Sequence, residues 1–413
     1  MRRVAALTLL GGVVLFVAVL LAAVPWQWSP DLHPWPGGDP TPVLTSPRLA
    51  AIEDYASRQR LLSWAALALG LMVSAALGFT RLGSRLVARV PGPDWLRLPL
   101  TVAALLGVVK LATIWLRWWQ YRNATLVGIN TQTTASWLRD QALGWTIEWV
   151  LTCLLIGLLI VVARRAPRTW PAVVGLIAAG LTVTGSLIYP LVIEPMFNHF
   201  RPLPDGPVRS AVLQIADREG VAVDQVLVAD ASRRTTTFNA YVSGIGPTRR
   251  VVLYDTLLKD ADLPETSIVV AHELAHAKHN DVVTGTALGA LGAISGFGLL
   301  GLLLSSPRLI AQVGAKGPGD LSVVPLVLAL SAVGALLTSP LQTLPSRAME
   351  VRADVVSLEA TGDPQAFVDL HLQLIDRAWS DPNPPAWSQF WFGTHPTPAK
   401  RLGLLDHLAG QGA

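Results

Sequence analysis

Hydrophobic and polar positions divide the chain into two textures. Long uncharged stretches alternate with short polar ones over the first half, at residues 4–24, 61–80, about 100–116, a fourth ending at 163, and about 170–193. A helix needs about 20 residues to cross a bilayer, so these stretches predict five transmembrane helices. Charges return from residue 194 to residue 281. There, residues 207–218 repeat apolar positions at helical spacing, while 225–229 and 249–254 are β-branched runs of strand length. Residues 238–245 are expected to pair with 249–254 through a turn at Gly246-Pro247. Two more uncharged stretches, 282–304 and about 321–344, predict a sixth and a seventh span, and polar helical texture resumes at Pro345. The expected organisation is a membrane part over 1–193, an inserted α+β module over 194–281, two further spans over 282–344, and a C-terminal helical part of that module over 345–413. No long-period repeat or low-complexity tract interrupts it.

Composition agrees with a membrane protein. The 413 residues are 51% hydrophobic and 15% charged, against about 25% charged in soluble domains. The net charge of +4 reads as loop arginines. No basic face with interleaved aromatics marks a nucleic-acid partner, so the bilayer is the expected surrounding. The one cysteine, Cys153, lies in an apolar run, which excludes an intramolecular disulfide and a cysteine-based zinc site. Arg2-Arg3 before the first stretch also fit a signal peptide cleaved after Ala22-Ala23, but the stretch is long for one. Trp115, Trp118, Trp119 and Tyr121, echoed by Trp137, Trp145 and Trp149, suggest an interfacial belt. Lys110 within the third span is a functional candidate by position, with pairing inside the bundle the plainer reading. Gly285, Gly289, Gly292 and Gly296 form two small-xxx-small pairs that favour close helix packing. Lysines and arginines in short loops favour an inside N-terminus, which puts the module outside.

The candidate chemistry centres on His272-Glu273-Leu-Ala-His276, an H-E-x-x-H sequence. Positions i and i+4 share a helix face, so both histidines can reach one cation, and Glu273 can take a proton from a water that the metal activates. Asp262 as N-cap, Pro264 in the first turn and Glu265 three residues after the cap favour the helix. Two surface histidines on a helix would give the same five letters. A zinc hydrolase takes its third ligand from a separate segment, and Ser346-Arg347-Ala-Met-Glu350-Val-Arg352-Ala-Asp354 follows the seventh span. The H-E-x-x-H helix leads into the sixth span, so antiparallel sixth and seventh spans return Glu350 to the same membrane face. Asp354, one turn on, can accept the second ring N–H of a ligand histidine.

Two further stretches are ambiguous. Asn239 stands at a sheet edge that can accept an extended peptide, though an ordinary strand with a turn asparagine explains the same residues. His395 and Arg401, in His-Pro-Thr-Pro-Ala-Lys-Arg, can stabilise an oxyanion and bind a carboxylate, though Pro398 opening a helix explains much of that stretch.

Taken together these residues resemble the M48 metallopeptidases, in the CAAX prenyl protease 1 (Ste24) branch. The resemblance is carried by H-E-L-A-H-A-K-H, S-R-x-x-E-x-x-A-D, N-A-Y-V-x-G at Asn239 to Gly244, and H-P-x-x-x-x-R at His395 to Arg401. It extends to Tyr189-Pro190 through Leu203 and to Glu53-Asp-Tyr55. It implies about seven transmembrane helices enclosing a chamber, capped by a small α+β gluzincin-like domain. It further implies one zinc ion per chain on His272, His276 and Glu350, with Glu273 as general base. Asn239 would hold substrate backbone, His395 would stabilise the tetrahedral intermediate, and Arg401 would support the site or meet a substrate terminus. A peptide or protein substrate, membrane-associated or lipidated, and a working monomer are expected. Eukaryotic members face the cytosol, opposite to the loop count here. Three rivals remain at this point: an intramembrane site-2-type protease, which would need an L-D-G-type motif that the chain lacks; a zinc-stapled scaffold, which would have no need of Glu273; and a transporter built on Lys110.

Overall fold

The structure, a computed structural model, describes residues 1–244 and 249–411. Seven helices among them are long and apolar enough to cross a membrane: Arg2–Ala23, Ser46–Phe79, Asp94–Leu126, Thr134–Arg165, Trp170–Phe197, Asp281–Leu303 and Leu321–Thr361. The second, third and fourth run to 34, 33 and 32 residues. At about 1.5 Å per residue each outreaches the bilayer core, so their polar ends project beyond it. The second to seventh spans neighbour one another in a closed ring, and the first packs against the fifth and sixth. Only 11–39% of each span's most apolar window is buried, as suits helices that surround space rather than fill a solid bundle.

Between the fifth and sixth spans lies the α+β module. Its four strands, β1 (Phe200–Pro202), β2 (Gln225–Ala229), β3 (Ala240–Ser243) and β4 (Arg250–Tyr254), stand in the order β1-β2-β4-β3. β2 and β4 are parallel, with Val226 opposite Val251, and β3 runs antiparallel to β4, with Ala240 opposite Leu253. The expected turn at Gly246-Pro247 lies outside the described residues. β3 is therefore an edge strand, and Asn239 sits exposed at its start. Val251, Leu253, Ile268, Val270, Leu274, Val351, Phe367 and Leu370 form one core that joins the sheet to the H-E-x-x-H helix and the C-terminal helices.

Three sequence expectations shift. There is no break at Pro345: Pro340–Thr361 is one helix, and its first residues belong to the seventh span. Trp118, Tyr121 and Trp137 pack on one another, with centroids 5.1–5.5 Å apart, and Tyr121 and Trp137 are buried. They knit the third and fourth spans together instead of forming a lipid-facing belt. The expected small-xxx-small contacts are also displaced. A Cβ on Gly285, Gly292 or Gly296 would meet nothing within 4 Å, whereas one on Gly298 would strike the Leu9 backbone. The first and sixth spans touch at Gly298 because no side chain fits there. Lys110 donates to Gln141 Oε1 at 2.9 Å, a pairing between the third and fourth spans.

Gly298→Leu should therefore force the first and sixth spans apart and cost about 1–3 kcal/mol. Gly296→Leu, two residues away with open space around it, should change little. Thermal denaturation in detergent separates the two, and equal midpoints would refute this packing.

Candidate active site

The H-E-x-x-H helix, Leu263–Lys278, forms where its N-terminal residues predict it. Asp262 Oδ1 accepts from Glu265 N–H at 2.9 Å, and Glu265 Oε2 accepts from Asp262 N–H at 3.0 Å, so both free donors are satisfied. The helix lies outside the seven spans that are long and apolar enough to cross a membrane. It ends at His279, and Asn280 takes a left-handed conformation, φ 56°. Asparagine tolerates that region better than other non-glycine residues. The kink starts the sixth span at Asp281 and swings the Asp281 carboxylate back onto His276.

Three side chains converge from two helices. His272, His276 and Glu350 offer ligand atoms that all lie within 4.8 Å of one another. The two Nε2 atoms are 3.2 Å apart, and Glu350 stands 3.3 Å from His272 Nε2 and 3.5 Å from His276 Nε2. Each ring is oriented from behind by a carboxylate: Asp354 Oδ1 at 2.9 Å from His272 Nδ1, and Asp281 Oδ2 at 2.8 Å from His276 Nδ1. A carboxylate at Nδ1 places the ring proton there and leaves the Nε2 lone pair free. Both lone pairs then face one point, which Glu350 shares.

The residues present fit a metal ion. A tetrahedral centre with ligand bonds of about 2.0–2.1 Å holds its donors about 3.3 Å apart, which is the spacing seen here. Glu350 Oε2 is buried with no hydrogen-bond partner among the described residues, a costly arrangement unless a cation answers it. The charge balance points the same way. Burial works against a charged His272, yet the adjoining carboxylates of Asp354 and Glu350 raise its imidazole to about 10. Surroundings that favour positive charge so strongly at this point favour a divalent cation too.

Around this centre the remaining expected residues take definite places. Glu273 is partly buried and has no hydrogen-bond or ion-pair partner among the described residues. Desolvation pushes its carboxyl above the usual range, and the histidines oppose the rise. His395 Nε2 lies 3.4 Å from Glu350 Oε1. Arg401 grips Asp354 with two bonds, from Nε to Oδ2 at 2.8 Å and from its terminal nitrogen to Oδ1. Asn239 is not among these contacts; its backbone carbonyl accepts from Tyr254 N–H at 3.0 Å. A cavity of about 990 Å³ adjoins the centre. His371, His395 and Arg401 line one side, and Gln59, Arg117, Gln120 and Gln132 from the membrane helices and the loop after the third span line the other.

Three further residues escape a linear reading. Asp281 is five residues beyond His276, a spacing that no straight helix turns inward, and Arg352 braces it by a hydrogen bond. Arg347 is 1% exposed and donates to both oxygens of Asp31, at 2.8 and 3.1 Å, and to the carbonyls of Gln389 and Gly393. It fastens the loop after the first span and the segment bearing His395 to the Glu350 helix. His371 is buried, donates Nδ1–H to the Phe367 carbonyl at 2.7 Å, and leaves Nε2 without a hydrogen-bond partner among the described residues. Only the S-R-x-x-E wording hinted at one of these three.

Burial holds the His371 imidazole down to about 3, and the Arg401 charge adds to the effect. The unfolded chain takes up this proton near pH 6.5 and the folded chain does not. Stability from this group is thus complete above about pH 6.5 and is lost as pH falls below it. His371→Gln should escape that loss. Between pH 7.5 and 5.5 the wild type should lose about 1 kcal/mol more than the variant in denaturant unfolding. Parallel pH dependences would mean that His371 is charged in the fold.

Comparison with known proteins identifies the arrangement. The profile of Peptidase family M48 matches residues 202–409, and that of the CAAX prenyl protease N-terminal region, five membrane helices, matches residues 100–199. The chain is 28% identical to the uncharacterized metalloprotease YhfN of Bacillus subtilis over 369 residues, covering 88% of this chain and 87% of that one. It is 27% identical to CAAX prenyl protease 1 of Saccharomyces cerevisiae and 30% identical to the homologue of Oryza sativa, in each case over 68% of this chain and 66% of the relative. The crystal structure of S. mikatae Ste24p superposes with a TM-score of 0.76 over 98% of both chains at 19% identity, a likeness of fold. The chain belongs to peptidase family M48 and is a multi-pass integral membrane metalloendopeptidase of the Ste24 kind.

Proposed function

We propose that the protein is a zinc-dependent endopeptidase that cuts peptide segments presented at the membrane, with His272, His276 and Glu350 as the metal ligands. The observation that carries the reading is the spacing of the three donors, 3.2–3.5 Å. Zinc held there supplies Lewis acidity, polarising the scissile carbonyl and lowering the pKa of water to about 7. Glu273 takes the proton of the attacking water and passes it to the leaving amine. Its open carboxylate and raised pKa suit a group that must both accept and return a proton. His395 donates to the oxyanion that develops on the carbonyl. Asn239, exposed beside the β3 edge, bonds the backbone of a substrate laid along that edge as a further strand. Asp354 orients His272, and Arg401 holds Asp354 in its charged form. Relatives at 27–30% identity are named CAAX prenyl protease 1, so a prenylated C-terminal peptide is the first substrate to try beside unmodified ones.

Glu273→Gln should keep zinc at wild-type stoichiometry while kcat/KM falls about 10²–10⁴-fold, the usual contribution of a general base. His272→Ala or Glu350→Ala should lose the metal; near-stoichiometric zinc in either would overturn the ligand set. Asn239→Ala removes one backbone contact worth about 0.5–1.5 kcal/mol, so kcat/KM should drop a few-fold with zinc unchanged. Peptide cleavage by detergent-purified protein, with zinc quantified in parallel, reads all of these.

A further inference from the structure

The two ends of the membrane helices differ sharply in charge. On the side bearing the peptidase, the connections 24–45 and 127–133 contain no lysine or arginine. They bind the module: Asp31 meets Arg347, and Thr131 N–H donates to the Arg234 carbonyl at 3.1 Å. At this end Arg48 and Arg60 of the second span pair with Asp376 and Asp381 of the module at 2.5 and 2.7 Å, Arg58 pairs with Asp54 and Arg139 with Asp140, and Arg117 and Arg122 of the third span have no ion pair among the described residues.

The other three connections meet one another at the opposite end. Arg164, after the fourth span, pairs with Asp94 at 2.8 Å and donates to the Gly319 carbonyl at 2.7 Å, and Gln312 donates to the Phe79 carbonyl. Cations dominate here. Between the second and third spans the helix Arg81–Arg89 carries Arg81, Arg85 and Arg89 four residues apart, all exposed. Its other face is fixed, because Gly83 and Val87 are buried and a Cβ on Gly83 would strike Pro325 and the Leu77 carbonyl. Arg165, Arg168 and Arg308 add to the same end. None of these six arginines has an ion pair among the described residues. Asp94 and Asp320 are the only carboxylates in the three connections.

Six unpaired guanidinium groups at one end of the bundle, held there by the helix packing beneath, match the phosphates of an anionic leaflet. Guanidinium groups near such a surface are attracted to its headgroups, and short loops rich in lysine and arginine stay on the cytoplasmic side. We propose that this face rests on the anionic cytoplasmic leaflet, so that the peptidase module opens to the opposite side of the membrane. A consequence, resting on the peptidase reading above, is that the substrates are segments of exported or extracytoplasmic proteins.

The test is cysteine labelling in intact cells. In a Cys153→Ser background, Asp205→Cys marks the module and Ala88→Cys marks the arginine helix; both positions are exposed. A membrane-impermeant maleimide should label Asp205→Cys in intact cells, and Ala88→Cys only after permeabilisation. The reverse pattern, or labelling of both in intact cells, would overturn the proposal. Changing Arg81, Arg85 and Arg89 together to Glu should make Ala88→Cys reactive in a fraction of intact cells, whereas changing them to Lys should not; an unmoved Glu variant would remove the arginines as the cause. Labelling reads orientation whether or not the chain cleaves peptides. A peptide supplied outside the cell, cut by wild type and spared by Glu273→Gln, reads the peptidase separately.

Discussion

Two imidazole nitrogens stand 3.2 Å apart, each with its ring proton held on the far side by a carboxylate, and much of the structure exists to keep them there. Two lone pairs at that distance repel unless a cation lies between them. The third donor, Glu350, brings a negative charge into the same buried space. Such a cluster is stable only with positive charge at its centre and rigid support around it. The support comes from far along the chain: Arg401 on Asp354, Arg352 on Asp281, and the Asn280 kink that aims Asp281 inward. Each is a charged or strained feature with little reason to exist apart from the others.

The membrane helices serve this centre by geometry. The sixth span begins five residues after His276, and the seventh continues without a break into the helix bearing Glu350 and Asp354. The rigidity of two long helices is thereby passed to His276 and Glu350. The cavity beside the candidate site is lined on its membrane side by Gln59, Arg117, Gln120 and Gln132. Those side chains offer hydrogen bonds within a lining that also includes Tyr55, Tyr121, Ala124 and Trp137. A peptide can therefore approach the site within the protein without its backbone amides meeting hydrocarbon, where each would go unsatisfied.

Arg347 shows how the scattered parts are joined. Its five donors meet the Asp31 carboxylate and two carbonyls near His395, so the loop after the first span, the Glu350 helix and the His395 segment share one fixed point. A buried guanidinium of this kind adds little net stability, since its desolvation offsets much of the gain. What it contributes is position, because its planar donors accept only one arrangement of partners.

Much of this was legible in the residues. Seven apolar stretches of bilayer length dictate seven spans, because a backbone in lipid must satisfy its own hydrogen bonds. The i, i+4 spacing of His272 and His276 puts both on one helix face by the pitch of the helix alone, and the Asp262–Glu265 cap is a local bond between near neighbours. Glu350 could be assigned to the same membrane face because two antiparallel spans return the chain to where it left. Features that depend on distant approach were not legible. The role of Asp281 requires a left-handed residue that helical periodicity does not announce, and Arg347 takes its meaning from partners that only folding brings near. Glycine spacing indicated the sixth span as a contact surface, yet of the four glycines only Gly289 meets a neighbour, Thr182, and the tightest approach falls at Gly298, since which glycine meets a neighbour depends on the neighbour's position. Sequence determined the features that arise from periodicity and from rules acting within a few residues. Only the tertiary structure decided which charges are paired, which donors are left to share a cation, and which face of the membrane helices is left with its charge unanswered.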